Sequence, residues 1–291
     1  MKLAYCILAH HKPAQLRRLM RAIWRPQHVY AIHVDRRASR ECHDAARELA
    51  SAPNVAVIKP SASRWGGWSL VRAELRAMRQ LASMGEWSYY VDLSGQDFPL
   101  QTQESIAAAL ERLPRRDWLH FERTLDPERA TELARREQLF ALELPWRDRP
   151  RVLSWAPPWR TPLLEGAIRY LGSQWKVLTR ETCEHLLVPR HTRRFRAAYW
   201  GSLIPDESFF QTVLLNSARA DLVAGENWHF VDWLTGPQHP RVLRMDDLPR
   251  IEASDAFFAR KFDADVDDPL LTALEQRLGI GDDAEAEREI A

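Results

Sequence analysis

The stretch Ile204-Pro205-Asp206-Glu207-Ser208-Phe209-Phe210 sets two adjacent carboxylates between a proline and a pair of phenylalanines. Two chemical readings fit it. Pro205 fixes φ and lacks a donor, Asp206 or Ser208 can cap, and an acid in the first turn suits the positive end of a helix dipole. Phe209, Phe210, Val213 and Leu214 then continue at helical spacing. A glutamate at a helix start among aromatic side chains is also where a general base would sit, partly desolvated and aimed into a cleft. Spacing leaves both readings open, although a cap accounts for one of the two acids more readily than for both.

Further candidates stand at predicted strand ends or between aromatics. His10-His11 follows the apolar run Leu3 to Ala9, Asp35 closes a run that starts at Val29, and Asp97 follows Tyr89-Tyr90-Val91-Asp92-Leu93. Consecutive histidines cannot easily put both rings on one metal, so a solvated or backbone-bonded pair is the simpler reading. No G-x-G-x-x-G, P-loop, H-E-x-x-H or C-x-x-C pattern occurs. D-x-D strings occur at Asp263-Ala264-Asp265 and Asp265-Val266-Asp267. A D-x-D that clamps a divalent ion on a diphosphate ends a central strand, whereas these lie in a polar segment that reads as a solvated acidic loop. Without a metal, charge on a diphosphate leaving group must be met by Lys or Arg. Arg241, after His239-Pro240, and Arg260-Lys261, between Phe257-Phe258 and Phe262, are suitable in type. A surface lysine lying over apolar neighbours is the equal alternative.

Such residues need a scaffold, and the chain alternates strand and helix signals. Leu3 to Ala9, helical spacing at Leu16, Leu19, Met20 and Ile23, and Val29 to Val34 form a βαβ unit, which predicts a parallel sheet with right-handed crossovers. Open sheets of this kind bind ligands at the carboxyl ends of their strands, which places His10, His11 and Asp35 on one functional edge. Helices are expected over about 41–51, 70–84, 104–113 and 180–187, and strands over 55–58 and 89–93. From about 121 to 170, prolines, arginines and tryptophans without a period predict a long ordered loop region with little regular structure. Short extended pieces are expected at 230–233 and 242–244, and a frayed acidic tail after Gly281.

Bulk properties exclude several classes. A chain of 291 residues with 41 basic and 40 acidic side chains has no net field to attract nucleic acid or an anionic membrane. The local basic run Arg190, His191, Arg193, Arg194, Arg196 reads as a solvated helix face or loop. Cys6, Cys42 and Cys183 have neither paired nor metal-type spacing, which favours a reducing compartment. The first apolar run is too short for a signal or a membrane span, and no later stretch approaches eighteen apolar residues. Twelve tryptophans are many for this length, and flat apolar rings suit the C–H faces of sugars.

Six ordered blocks carry a family resemblance: AYCILAHHKPAQLRRLMRAIWRPQHVYAIHVD, WGGWSLVRAELRAM, YYVDLSGQDFPLQT, GSQWKVLTRETCEHL, PDESFFQTVLLNS and FFARKFD. Together they resemble the core-2/I-branching enzyme family of glycosyltransferases, which includes β-1,6-N-acetylglucosaminyltransferases and peptide O-xylosyltransferases. The resemblance implies a GT-A type α/β fold with a mostly parallel central sheet flanked by helices. It also implies a UDP-sugar donor, inversion at the anomeric carbon and no metal or other cofactor. By position, Glu207 resembles the catalytic base, and Lys261 and Arg241 the pair that neutralises the diphosphate. His10, His11 and Asp35 resemble the uridine side, Asp97 a residue close to the donor sugar, and Trp233 the acceptor-stacking tryptophan. N-acetylglucosamine is the first expected donor sugar and xylose the second.

Residues 1–280 are then expected to form a single catalytic domain, with a nucleotide-binding α/β part at 1–115, a loop-rich acceptor or lid region at 116–170, and a catalytic and diphosphate-binding part at 171–280. An acidic tail occupies 281–291. Animal members carry a membrane anchor, a stem and disulfides, so this chain resembles a bacterial-type cytoplasmic member, with the membrane's inner face as a further expected location and surface-glycan synthesis as the expected role. A non-catalytic UDP-sugar or glycan-binding protein on the same fold is the alternative, and no nucleic-acid partner is expected.

Overall fold

Strands β1 (Leu3–Ala9) and β2 (Val29–Val34) are buried at every position, the pattern of parallel strands covered on both faces. They pair with Cys6 opposite Ala31, and helix α1 (Pro13–Ile23) crosses between them. The computed structural model describes residues 1–122, 127–144, 146–147, 149–233 and 240–281. The alternation continues through α2 (Arg40–Leu49), β3 (Val55–Val57), α3 (Trp68–Ala82), β4 (Tyr89–Ser94), β5 (Asp97–Pro99), α4 (Gln103–Arg112) and β6 (Asp117–Phe121). Next come α5 (Pro127–Gln138), the hairpin β7 (Phe140–Leu142) and β8 (Arg151–Leu153), α6 (Arg160–Leu164), β9 (Gly172–Thr179), α7 (Arg180–Leu187), α8 (Pro189–Tyr199) and α9 (Phe209–Leu215). β10 (Val223–Ala224), β11 (His229–Val231), α10 (Leu248–Glu252), β12 (Phe258–Arg260) and α11 (Asp268–Arg277) follow.

Among the described residues the main sheet runs β10-β6-β9-β4-β1-β2-β3, and β9 alone is antiparallel to its neighbours. Helices α3, α7, α8 and α9 supply the core on one face, and α1, α2 and α4 the core on the other. The expected α/β architecture, a mostly parallel central sheet flanked by helices, is therefore present. A second sheet, β11-β12-β5, packs with α10 and α11 around Phe98, Phe262 and Leu270. It carries the segment after β12 to the carboxyl edge of the main sheet.

One expectation needs correction. Residues 121–170 hold more regular structure than their pattern predicts, because α5 is a polar helix whose buried apolar residue is Leu133, too little for a readable stripe. Of 242–244, Arg244 has an extended backbone, and Leu243 donates its N–H to Lys261 O at 2.8 Å. The basic run falls on α8, where Thr192, Phe195, Ala198 and Tyr199 are buried and Arg193 and Arg194 are exposed, which is the solvated-face arrangement. The three cysteines are buried and unpaired. The acidic tail from 282 onward and His239 lie outside the described residues.

Candidate active site

The carboxyl ends of β1, β2, β4 and β6 meet the amino end of β9 along one edge, because β9 runs against β4 and β6. Gly172 permits that meeting: a Cβ there would lie 2.1 Å from His120 O. His10 and His11 leave β1 with their rings stacked at 3.9 Å. Burial, and then the neighbouring His11, push the His10 pKa down to about 4, so its ring is neutral at pH 7. Asp35, at the end of β2, accepts from the N–H of Arg37 at 2.8 Å and of Ser63 at 2.7 Å. Burial pushes its carboxyl up, but these bonds and the Arg37 guanidinium more than reverse that, holding it below the ordinary carboxylate range.

The cationic side of the edge comes from β12. Arg260 lies 4.1 Å over the Trp175 ring and 3.5 Å from Asp97 Oδ1. Asp97 is fully buried, and burial raises it to about 6 against the pull of Arg260. It therefore acts on its surroundings through Arg260 rather than by presenting an oxygen to solvent. Lys261 is half-buried, and burial followed by the charge of Arg260 lowers its pKa. The charges of Asp35, Lys261 and Arg260 all bear on His10, which places these predicted residues in one electrostatic neighbourhood. Arg241 donates to Asp232 Oδ2 at 2.8 Å and also to Asp247, so its charge arrives already countered by two carboxylates. Trp233, next to Asp232, is 49% exposed. The D-x-D acids are not merely solvated: Lys12 bonds Asp263 and reaches Asp265 at 2.8 Å. Among the described residues no three His, Cys, Asp or Glu side chains converge to hold a metal ion.

Glu207 belongs to a second cluster. Pro205–Glu207 form one 3-10 turn that packs against α3 and β9, and neither Asp206 nor Ser208 makes a side-chain cap. Ile204, just before it, has φ 51, a left-handed value that a β-branched residue adopts only when its surroundings impose it. Its N–H donates to Gly66 O at 2.9 Å. Gly201 has φ 71, and a Cβ there would lie 2.2 Å from the Phe140 ring, so the chain before the turn is fixed as well. Arg136 Nη2 donates to Glu207 Oε2 at 3.1 Å. Burial raises the Glu207 carboxyl, and Arg136 pulls it back without cancelling the rise. Asp206 is buried, and burial plus the Glu207 charge raise it to about 7.

Between the two clusters stands the start of β9. Trp175 faces Arg260, while Lys176 points to the opposite face, fully buried, with Nζ 2.9 Å from Asp92 and 2.5 Å from Glu74. Lys176, Glu74, Trp175 and Arg136 pack or bond within these clusters, and pattern reading missed them. A lysine flanked by Trp175 and Val177-Leu178 in a predicted strand was a usable signal. Arg136, one of many arginines in an aperiodic segment, carried none.

Residues 3–255 match the family described as Core-2/I-Branching enzyme. Human xylosyltransferase 2 is 30% identical over 304 residues that cover 95% of this chain and 34% of that protein. Rat xylosyltransferase 1 is 30% identical over 306 residues, 95% of this chain and 35% of the relative. The chain thus spans about a third of the length of these relatives. An active-site mutant of LgtC overlays with a TM-score of 0.46 at 11% identity, covering 99% of this chain and 100% of that one. With the family match running through the strand ends of His10 and Asp35 and through the Glu207 turn, this chain belongs to the Core-2/I-branching enzyme family.

Proposed function

We propose that the protein is an inverting glycosyltransferase with a GT-A type fold, which moves a sugar from a UDP-sugar to an acceptor hydroxyl with β-linkage and without a metal. The observation that carries the reading is the partly desolvated Glu207, held by Arg136 on a turn that packs against β9. Glu207 takes the proton from the acceptor hydroxyl as that oxygen bonds to the anomeric carbon. The bond from that carbon to the diphosphate oxygen breaks, and Lys261, with Arg241, meets the charge left on UDP. His10, His11 and Asp35 line the uridine side, Asp97 steadies Arg260 near the sugar, and Trp233 stacks on the acceptor. Two xylosyltransferase relatives at 30% identity favour xylose over N-acetylglucosamine as the donor sugar.

Surface-glycan synthesis at the inner face of a membrane belongs to the same proposal. No helix among the described residues is long and apolar enough to cross a membrane. The exposed rings of Trp155, Trp159 and Trp200, beside the basic face of α8, suit peripheral attachment to one.

Thermal unfolding with UDP and UDP-sugars in EDTA tests the donor reading. A ligand at 100 times its Kd adds about 2.7 kcal/mol, so a stabilising shift that survives EDTA is expected. Lys261→Ala is expected to weaken UDP by about 10- to 100-fold, the worth of a charged hydrogen bond, and to slow transfer as well. A UDP shift that requires a divalent ion overturns the metal-free mechanism. No shift with any uridine nucleotide overturns the donor.

The pH profile tests the base. Glu207 acts deprotonated, so turnover is lost as pH falls through its pKa. Removing the opposing charge in Arg136→Met raises that pKa, and the acid limb of kcat/KM should move up by about 1 pH unit or more. An unmoved limb would detach the limb from Glu207.

A further inference from the structure

Beyond the end of β3 lies an open cleft of about 350 Å³, lined in part by Arg36 and Ser61. Its walls carry Arg36, Lys59, Arg64, Arg72 and Arg76, with Glu143 as the sole acid lining it. Arg36, Lys59, Arg72 and Arg76 form no ion pair with any described carboxylate, yet all four converge on one cleft. Glu143 is turned to other work: Ser69 donates to it through both its N–H, at 3.1 Å, and its hydroxyl. Arg64 is 5% exposed and held in place by Arg147 O at 2.8 Å, which makes it a fixed rather than a wandering cation. Arg72 and Arg76 stand one helical turn apart on the exposed side of α3. Unneutralised, convergent guanidinium groups are the arrangement that matches phosphate oxygens, bidentately and at short range.

We infer that this cleft is a binding site for a phosphate-type polyanion, separate from the donor diphosphate. The same segment that supplies Arg64 continues to Gly66, whose carbonyl holds Ile204 ahead of the Glu207 turn. An anion seated here therefore sits behind the loop that braces the catalytic turn. The phosphate is carried either on the acceptor or on a free effector. Only that choice rests on the transferase reading; the site itself does not.

The test is calorimetric titration of inorganic pyrophosphate into the full chain with UDP saturating, at low and moderate salt. Binding is expected to persist with UDP present and in Lys261→Ala, to weaken with salt, and to fall by about 100-fold in the Arg72→Ala/Arg76→Ala variant. That variant should keep its UDP affinity, and Arg193→Ala/Arg194→Ala on α8 should keep pyrophosphate binding, which separates the cleft from general positive charge. Binding abolished by UDP or by Lys261→Ala, or indifferent to Arg72 and Arg76, overturns the inference. Where the site holds, pyrophosphate that alters UDP-sugar hydrolysis without an acceptor identifies a free effector. Pyrophosphate that leaves hydrolysis unchanged and competes with the acceptor identifies an acceptor-borne group.

Discussion

Glu207→Gln is expected to lower sugar transfer by about 10²- to 10⁴-fold while UDP affinity stays within about twofold. The amide keeps the shape of the side chain and an oxygen for the Arg136 N–H, so the turn between Ile204 and Phe209 has no reason to move. What is removed is the group that accepts the proton. Asp206 cannot take over, because its carboxyl is buried and faces away from solvent access that Glu207, 28% exposed at its side chain, retains. The substitution also removes the charge that helps raise Asp206 to about 7, so Asp206 should become easier to ionise. Initial rates with a UDP-sugar, beside UDP binding by calorimetry, check the result. Near wild-type transfer would remove Glu207 from the mechanism. Joint loss of transfer and UDP binding would instead indicate a collapsed site.

The scaffold was legible where apolar pattern and burial coincide. β1, β2 and the first crossover helix follow from continuous apolar runs and a 3.6-residue stripe, and they place His10 and Asp35 at the strand ends. The two acids of the 204–209 turn were visible in the sequence, but the cap alternative was excluded only by geometry: Ser208 Oγ donates to Tyr170 O at 2.6 Å and lies 2.8 Å from the Tyr199 hydroxyl, away from the helix end. Partners distant in the chain were beyond reach. Arg136 reaches Glu207 across 71 residues, and although Asp232 and Asp247 stand 9 and 6 residues from Arg241, no periodicity announces that both close on it. Pattern reading registers a residue's type and its neighbours along the chain, whereas these contacts depend on which elements the fold brings side by side.

The buried charge on β9 leads to the second large effect, on stability rather than turnover. Lys176→Met is expected to destabilise the protein by about 3–5 kcal/mol, the cost of removing one partner from a buried ion cluster. Glu74, Asp92 and Lys176 are all fully buried, and Nζ also lies 4.3 Å over the Phe210 ring of α9. Burial opposes the ammonium, but its two carboxylates more than hold it charged. Burial, and next the charge of Asp92, push Glu74 well above its ordinary value. Methionine fills the space and keeps the apolar contact, so the loss is electrostatic. It should therefore depend on pH with a definite sign. Carboxyls whose folded pKa is raised contribute stability that is complete below their unfolded value, near 4, and is lost as pH rises. Without Lys176 both rise further, so the deficit should be smaller at pH 5 than at pH 8, as read from urea midpoints at the two values. Adding Glu74→Gln and Asp92→Asn should recover part of the loss at pH 8. Equal deficits at both pH values would assign the effect to packing over Phe210. A pH-dependent deficit would instead show that Lys176 neutralises the wall against which the Pro205–Glu207 turn rests, so that the position of the base depends on a charge the reaction itself does not use.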